Sequence, residues 1–414
     1  MKIKVFFLLL ILLFVDSNVL KATELKIDFD SAIKIFKTDI KGIPSNGISD
    51  NFIIKLPEYK RALFFATRNK GFDGINQNFS WPTDRLTSLF DKSFIPVPTI
   101  DRPVNCGVLL ILELTDGSYA VVQPIATRRL MGWIEVVDDT NIRISCGSMG
   151  TEKIDENDVP IFAYGKNKDI YALMYGVWNS IVSDDKVKDN LQLRNNKTYP
   201  LPFEYLGWCS WEHFKKDINE KVLTDAIDVI EKCDIPVRWV LVDDGHQIHE
   251  KGRLKSFDID PSLFPNGWSP IISGKSDKIK WFGLWHCMYG LWNGISEEHN
   301  MSYLKDCLIK NKRGRLVLNG TREAADIFYN KLVSSASDNG FDFIKVDVQT
   351  RDFNNYLFTS NAVESHYNNA KALEFYSNSK LQGLMNCMAQ NLPCVFNTKF
   401  SATTRVSVDY KLNN

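Results

Sequence analysis

The stretch Val237-Arg238-Trp239-Val240-Leu241-Val242-Asp243-Asp244-Gly245 sets a short apolar run directly against two adjacent acids and a glycine. Val237 to Val242 reads as a strand buried on both faces, the kind found in parallel sheets. The residues before it, 218–232, carry Ile218, Val222, Leu223, Ala226, Ile227 and Ile230 at helical spacing. Asp217 with Glu220 resembles a capping box at the start of that helix. Moving outward, strand-like runs recur at 205–209, 280–287, 342–348, 384–387 and 403–408, with helical patterns at 322–337 and 361–379. Repeated β-α units build a parallel sheet with helical crossovers, and such a sheet closes as an eight-stranded barrel. Six strands can be counted. The expectation is an α/β fold, a (β/α)8 TIM-type barrel over residues 200–414, truncated after about six strands.

Upstream of Tyr199-Pro200-Leu201-Pro202 the pattern changes. Short apolar runs, among them Val108-Leu109-Leu110-Ile111-Leu112 and Trp133-Ile134-Glu135-Val136-Val137, are broken by Gly, Pro, Asn and Asp. This indicates an antiparallel β-sandwich, placed at residues 23–199. No catalytic constellation is visible in it. At the start of the chain Lys2 and Lys4 precede an apolar run from Val5 to Val15. That run is too short to cross a bilayer but matches the core of a signal peptide, assigned to residues 1–22. The expected location is therefore secreted or periplasmic, with no membrane span after signal cleavage; a buried N-terminal helix or a retained anchor is the alternative.

The 414 residues carry 50 Lys plus Arg against 50 Asp plus Glu, so no net field draws in nucleic acid or an anionic membrane. A neutral or weakly charged substrate fits better. The eight cysteines show neither a dense disulfide framework nor CxxC metal pairs, and most are expected as small buried apolar residues. No metal and no cofactor is expected. His246-Gln247-Ile248-His249 offers two histidines without a third ligand nearby, an incomplete metal site.

In a barrel, residues that act on substrate sit at the C-terminal ends of the strands. Those positions are Trp208 to Glu212, Asp243-Asp244-Gly245, Trp285-His286-Cys287, Lys345-Val346-Asp347, Asn386-Cys387 and Arg405 to Asp409. A carboxylate there pays for desolvation unless it is paired or used. Lys345 and Asp347 are two apart, so on a strand they share a face and can converge on one ligand. A helix cap or a simple Lys345–Asp347 pair is the structural alternative. Asp243 and Asp244 suit bidentate hydrogen bonding to sugar hydroxyls, with a solvated Asp-Asp-Gly turn as the alternative. Trp208, Trp211, Trp239, Trp268, Trp281, Trp285 and Trp292 place seven of the ten tryptophans in about one fifth of the chain. Indoles suit the apolar C–H faces of sugars; Trp239, inside a strand, is the structural one. Two carboxylates flanking a glycosidic bond are the minimum for glycosidase chemistry, and Asp347 and Asp409 form the candidate pair.

Four motifs in order, Gly207-Trp208-Cys209-Ser210-Trp211-Glu212-His213-Phe214, Val242-Asp243-Asp244-Gly245-His246-Gln247, Trp285-His286-Cys287-Met288-Tyr289-Gly290-Leu291-Trp292 and Lys345-Val346-Asp347-Val348-Gln349, resemble glycoside hydrolase family 36. The branch is that of the raffinose synthases and seed imbibition proteins, or alkaline α-galactosidases. The resemblance implies Asp347 as nucleophile and Asp409, four residues after Arg405, as acid/base. It implies Lys345 and Arg405 on the galactosyl hydroxyls, Asp243 and Asp244 on O4 and O6, Trp211 packing on the sugar, and His286 and Trp292 lining the pocket. Where the family has Ser-Asp-Asp, this chain has Ser407-Val408-Asp409, which leaves Asp409 as the remaining acid. The activity so implied is a retaining glycosidase acting on α-galactosides, raffinose-type oligosaccharides, by double displacement. A galactosyltransferase of raffinose-synthase type and a catalytically inactive carbohydrate-binding protein are the alternatives.

Overall fold

A computed structural model describes residues 22–30, 32–67, 78–92, 107–405 and 409. The signal-peptide reading falls on residues outside these, except for residue 22, and so do Ser407 and Val408.

Six strands, Gly207–Cys209, Trp239–Val242, Trp281–Cys287, Phe343–Asp347, Gly383–Asn386 and Thr403–Thr404, pair side by side in chain order. Every pairing is parallel. This is the curled sheet of a partial TIM-type barrel, and it follows from the local chemistry. Apart from Thr403–Thr404, the strands are short and largely apolar, and the helices Glu220–Lys232, Arg322–Ser337 and Ala362–Lys380 return the chain across the outer face. The helix Glu220–Lys232 buries Leu223, Ile227 and Ile230. Its cap differs from the expectation: Asn219, extended at φ −153°, accepts from the Val222 N–H. Asp217 stands two residues too early for that geometry, and Glu220 instead binds the backbone and side-chain amides of Asn266. At the foot of the barrel Gly207 makes room for Trp239, whose ring atoms lie 1.9 Å from where a Cβ would stand. Trp239 also donates to the Tyr205 carbonyl and meets Phe343 edge-on, the structural role expected of it.

Two hairpins decorate the barrel, Gln247–Glu250 with Arg253–Ile259 after the second strand and Leu308–Lys310 with Leu316–Leu318 after the third. Their strands are three to seven residues long and partly polar, too short for a periodic signal.

Upstream, among the described residues, ten strands join in one sheet, antiparallel except where Thr23–Leu25 meets Asp50–Lys55. Its inner face encloses a core that includes Phe52, Ile54, Phe64, Leu110, Ile134, Ile144 and Phe162. The other face receives the helix Ile170–Val182, which the strand-rich texture concealed. Asp169 caps that helix by accepting from Tyr171 and Ala172 N–H. Leu173, Val177 and Ile181 pack with Val121 and Trp133 of the sheet and with Phe353, Tyr356 and Phe396 of the barrel. One apolar cluster therefore joins the two parts. Arg129 reinforces it by pairing with Glu152, Glu156 and Glu364.

Candidate active site

The carboxylates anticipated at the strand ends stand together at the barrel mouth, and each position has a local cause. After the second strand Gly245 takes φ +126°, a region that a side chain would oppose, and a Cβ there would come 2.6 Å from the Lys216 carbonyl oxygen. The chain turns at once, leaving Asp243 and Asp244 buried at the strand's end. Asp243 Oδ2 receives Lys345 Nζ at 2.7 Å and the Cys209 thiol at 3.2 Å. Asp244 Oδ2 receives Trp292 Nε1 at 2.6 Å and lies 3.1 Å from Lys216 Nζ.

On the fourth strand Lys345 pairs across from Trp285, and Asp347 from Cys287. These four share the inner face, as the two-residue period requires. Asp347 Oδ2 receives Trp285 Nε1 at 3.3 Å and Oδ1 the backbone N–H of Val348 at 2.7 Å. Val348 itself adopts φ +65°. A β-branched residue in the left-handed region is strained, and such strain persists where surrounding packing imposes it, often at functional sites. Val348 is fully buried.

Asp409 receives Trp211 Nε1 at 3.0 Å and pairs with Arg405. Burial raises its pKa, but the Trp211 and Arg405 hydrogen bonds outweigh it and hold the carboxyl below its ordinary value. Burial opposes the charge of Lys345, yet Asp243 reverses this and the ammonium is held above its usual range. Arg405 feels the charges of both Asp409 and Asp347, and Lys345 those of Asp243, Asp347 and Asp409. The two candidate catalytic carboxylates thus face one set of cations.

His286 is the exception. It follows Trp285 on the strand and so points the other way, toward the helix layer. Its Nδ1 meets the Gln247 side-chain amide and its Nε2 meets Ser335 of the helix Arg322–Ser337. Burial and the neighbouring His246 push its pKa well down. It supports the site from behind rather than lining it. Trp292 does stand at the mouth, stacked on Trp285 at 6.2 Å with 23° between the rings.

Three residues at the strand ends named in the sequence, without an assigned role, complete the site: Trp285, and Cys209 and Cys387, whose thiols face Asp243 and Asp347; burial pushes Cys209 up to about 12. Lys216 and Arg351, which the sequence reading missed, also enter. Inside–outside alternation would have favoured Trp285 over His286, had the strand register been known. Among the described residues no group of three or more His, Cys, Asp or Glu is arranged to hold a metal ion, and no helix is long and apolar enough to cross a membrane.

A six-stranded parallel barrel sheet thus follows a ten-stranded, mainly antiparallel sheet and gathers carboxylates, Lys, Arg and tryptophans at its strand ends. The family model described as raffinose synthase or seed imbibition protein Sip1 matches residues 112–260, a span that includes Trp211, Asp243 and Asp244. The chain is 24% identical over 264 residues to the probable galactinol–sucrose galactosyltransferase 6 of Arabidopsis thaliana, covering 54% of this chain and 35% of the relative. It is 27% identical over 165 residues to stachyose synthase of Pisum sativum, covering 39% and 19%. The chain matches about a third of the length of its Arabidopsis relatives. Among solved structures, the α-galactosidase of Thermus thermophilus in complex with p-nitrophenyl α-galactopyranoside aligns with a TM-score of 0.59 at 14% identity, over 92% of this chain and 74% of that one. A glycoside hydrolase family 36 α-galactosidase of Geobacillus stearothermophilus in complex with stachyose aligns at 0.53 and 11%, over 87% and 52%. The fold is that of these enzymes, and over residues 112–260 the chain is similar to the raffinose synthases and seed imbibition proteins.

Proposed function

We propose that this protein is a retaining enzyme acting on α-galactosides, with Asp347 as nucleophile and Asp409 as acid/base. The observation that carries the reading is the convergence of Asp347 and Asp409 on the cations Lys345 and Arg405, with Asp243 and Asp244 beside them. In the first step an Asp347 oxygen forms a bond to the anomeric carbon. The bond from that carbon to the departing oxygen breaks, and Asp409 supplies the proton. In the second step Asp409 takes a proton from water, whose oxygen displaces Asp347. Lys345, Arg405, Asp243 and Asp244 bind the sugar hydroxyls, and Trp211 covers the ring. Arg405 and Trp211 favour the ionised form of Asp409, the form that the second step uses. The first step needs substrate to draw Arg405 away, so that Asp409 can hold a proton.

Hydrolysis and transfer use the same groups. The apolar run Val5 to Val15 favours export, and with it water over an intracellular activated donor. The test is galactose release from raffinose, melibiose and an aryl α-galactoside by the full-length protein. Release without added acceptor supports hydrolysis. Product only when a sugar acceptor is present supports transfer. A folded protein that binds these galactosides and turns none over would overturn the catalytic reading in favour of a binding protein.

A further inference from the structure

We infer that Asn386, at the end of the fifth barrel strand, is a positioning residue: its carboxamide fixes the sixth strand, which leads into Arg405, against the strand that carries Asp347. The inference rests on the catalytic reading above and adds a side chain that acts through Arg405 and Asp409. A retaining enzyme needs its two carboxyl groups at one separation, about 5–5.5 Å. The strand Gly383–Asn386 lies between the strands of Asp347 and Arg405 and so sets that spacing. On the Asp347 side it is well held. Four residue pairs, from Phe343 with Gly383 to Val346 with Asn386, join the two strands, and the Cys387 N–H donates to the Val346 carbonyl at 3.0 Å. The Asp347 carbonyl is fixed from its other side by the Met288 N–H at 2.9 Å. On the Arg405 side, among the described residues, two pairs join Met385 and Asn386 to Thr403 and Thr404, a strand two residues long. So short a ladder leaves the placement of Arg405 largely to side chains.

Asn386 reaches both strands. Its Nδ2 donates to Ser401 Oγ at 2.8 Å and to the Thr403 carbonyl at 3.3 Å, and its backbone carbonyl accepts from the Arg405 N–H at 2.9 Å. Its Oδ1 accepts from Gln349 Nε2 at 2.7 Å, and the same amide donates at 3.0 Å to the carbonyl of Val346, the residue before Asp347. Ser401 passes its own hydroxyl proton to Glu374, on the helix Ala362–Lys380. Glu374 also receives the backbone N–H groups of Phe400 at 2.6 Å and Ser401 at 2.9 Å. Gln349, Asn386, Ser401 and Glu374 are all buried, where a polar network rigidifies what it connects. The residue type matters. Ser401 has given its proton to Glu374 and offers Asn386 a lone pair, so this position needs a donor toward Ser401 and an acceptor toward Gln349. A carboxamide supplies both, whereas a carboxylate would set two acceptors face to face. Asp347 keeps its ladder, Trp285 and the Val348 N–H without Asn386, so loss of the amide falls on the Arg405 side.

The test compares kcat/KM of the full-length protein and its variants on melibiose and on 2,4-dinitrophenyl α-galactoside. The sugar leaving melibiose needs a proton from Asp409, while dinitrophenolate departs without one. Asn386→Ala should lose about 100-fold on melibiose and less than about 10-fold on the aryl substrate, because a displaced acid hurts the donor that needs it. A merely structural loss would cut both alike, since they share the galactosyl unit. Ser401→Ala should repeat the split more weakly, and Ser401→Thr, which keeps the hydroxyl, should remove most of it. Circular dichroism checks folding, and if Asn386→Ala does not fold the Ser401 variants decide. Equal losses on the two substrates, or no loss on either, overturn the inference. Amide hydrogen exchange gives a readout that needs no turnover: in Asn386→Ala the Arg405 N–H should exchange about 10-fold faster or more, while the amides of Phe343 to Val346 keep their protection. Unchanged exchange at Arg405 also overturns the inference. A parent protein that turns over neither galactoside overturns the catalytic reading instead, and exchange still decides whether Asn386 holds the strand.

Discussion

Asp347 and Asp352 stand five residues apart, both buried beside an aromatic side chain, yet the structure gives them opposite surroundings. Asp347 ends a barrel strand, follows an inward-facing Lys345 and looks into the mouth. Asp352 lies on the next helix and is wholly enclosed. Its oxygens receive His366 Nδ1 at 2.9 Å and Asn369 Nδ2 at 3.1 Å, and Asn369 also meets the Tyr356 hydroxyl. Beyond His366 the Cys394 sulfur lies 3.5 Å from Nε2. A Cys–His–Asp series of this kind has the connectivity of a nucleophilic triad, but the carboxylate and the imidazole have no exposed surface and the thiol almost none. No substrate can reach it. Chemical composition does not separate a carboxylate at the mouth from an enclosed one; access does.

The sharpest test of this contrast is to remove each carboxylate. Asp347→Ala should lose about 10⁴-fold or more in kcat on an aryl α-galactoside, while its melting temperature stays within a few degrees of the parent. Asp352→Ala should be destabilised by about 3–5 kcal/mol in chemical denaturation, because it leaves a buried imidazole without its partner. If Asp352→Ala were as stable as the parent, the enclosed cluster would have no structural role and the contrast would fail.

A smaller effect separates His366 from the pair behind the mouth. Burial opposes a charge on His366, but Cys394 and Asp352 outweigh it, so its folded pKa is raised. Its contribution is fully present below about pH 6.5, the unfolded value, and is lost as pH rises through the raised folded value. His246 is the reverse case: burial lowers it to about 4, against weaker support from Asp243. It favours folding above pH 6.5, and that contribution drains away as pH falls toward 4, on the order of 3 kcal/mol at most. Denaturation curves between pH 4 and 8 should show this acid-side decline, flatter in His246→Gln. An equal slope in the variant would place the decline elsewhere.

How much of this was legible beforehand differs by element. The barrel strands were readable because a strand buried on both faces is a continuous apolar run. The helix 322–337 was expected at the bounds it occupies. The helix Ile170–Val182 was hidden because its apolar residues resemble one more strand in a strand-rich stretch. In the site, Asp243, Asp244, Lys345, Asp347, Arg405 and Asp409 were visible as polar groups ending apolar runs. Lys216 and Arg351 were not, because they arrive from a loop and a short helix whose approach no local spacing records; Cys209 and Cys387 stood at named strand ends, but what their thiols meet depends on the neighbouring strands.

The sequence by itself determined the order of the strands and the presence of acids at their ends, since both are local: a run of apolar residues, then a group that burial would penalise. Only the tertiary structure decided which way each side chain points and what it meets. His286 and Trp285 are adjacent in sequence, and it is the strand pairing with Lys345 and Asp347 that sends one to the mouth and the other behind it. Asp347 and Asp352 are separated in the same way, by a strand end that opens to the mouth and a helix that packing closes off.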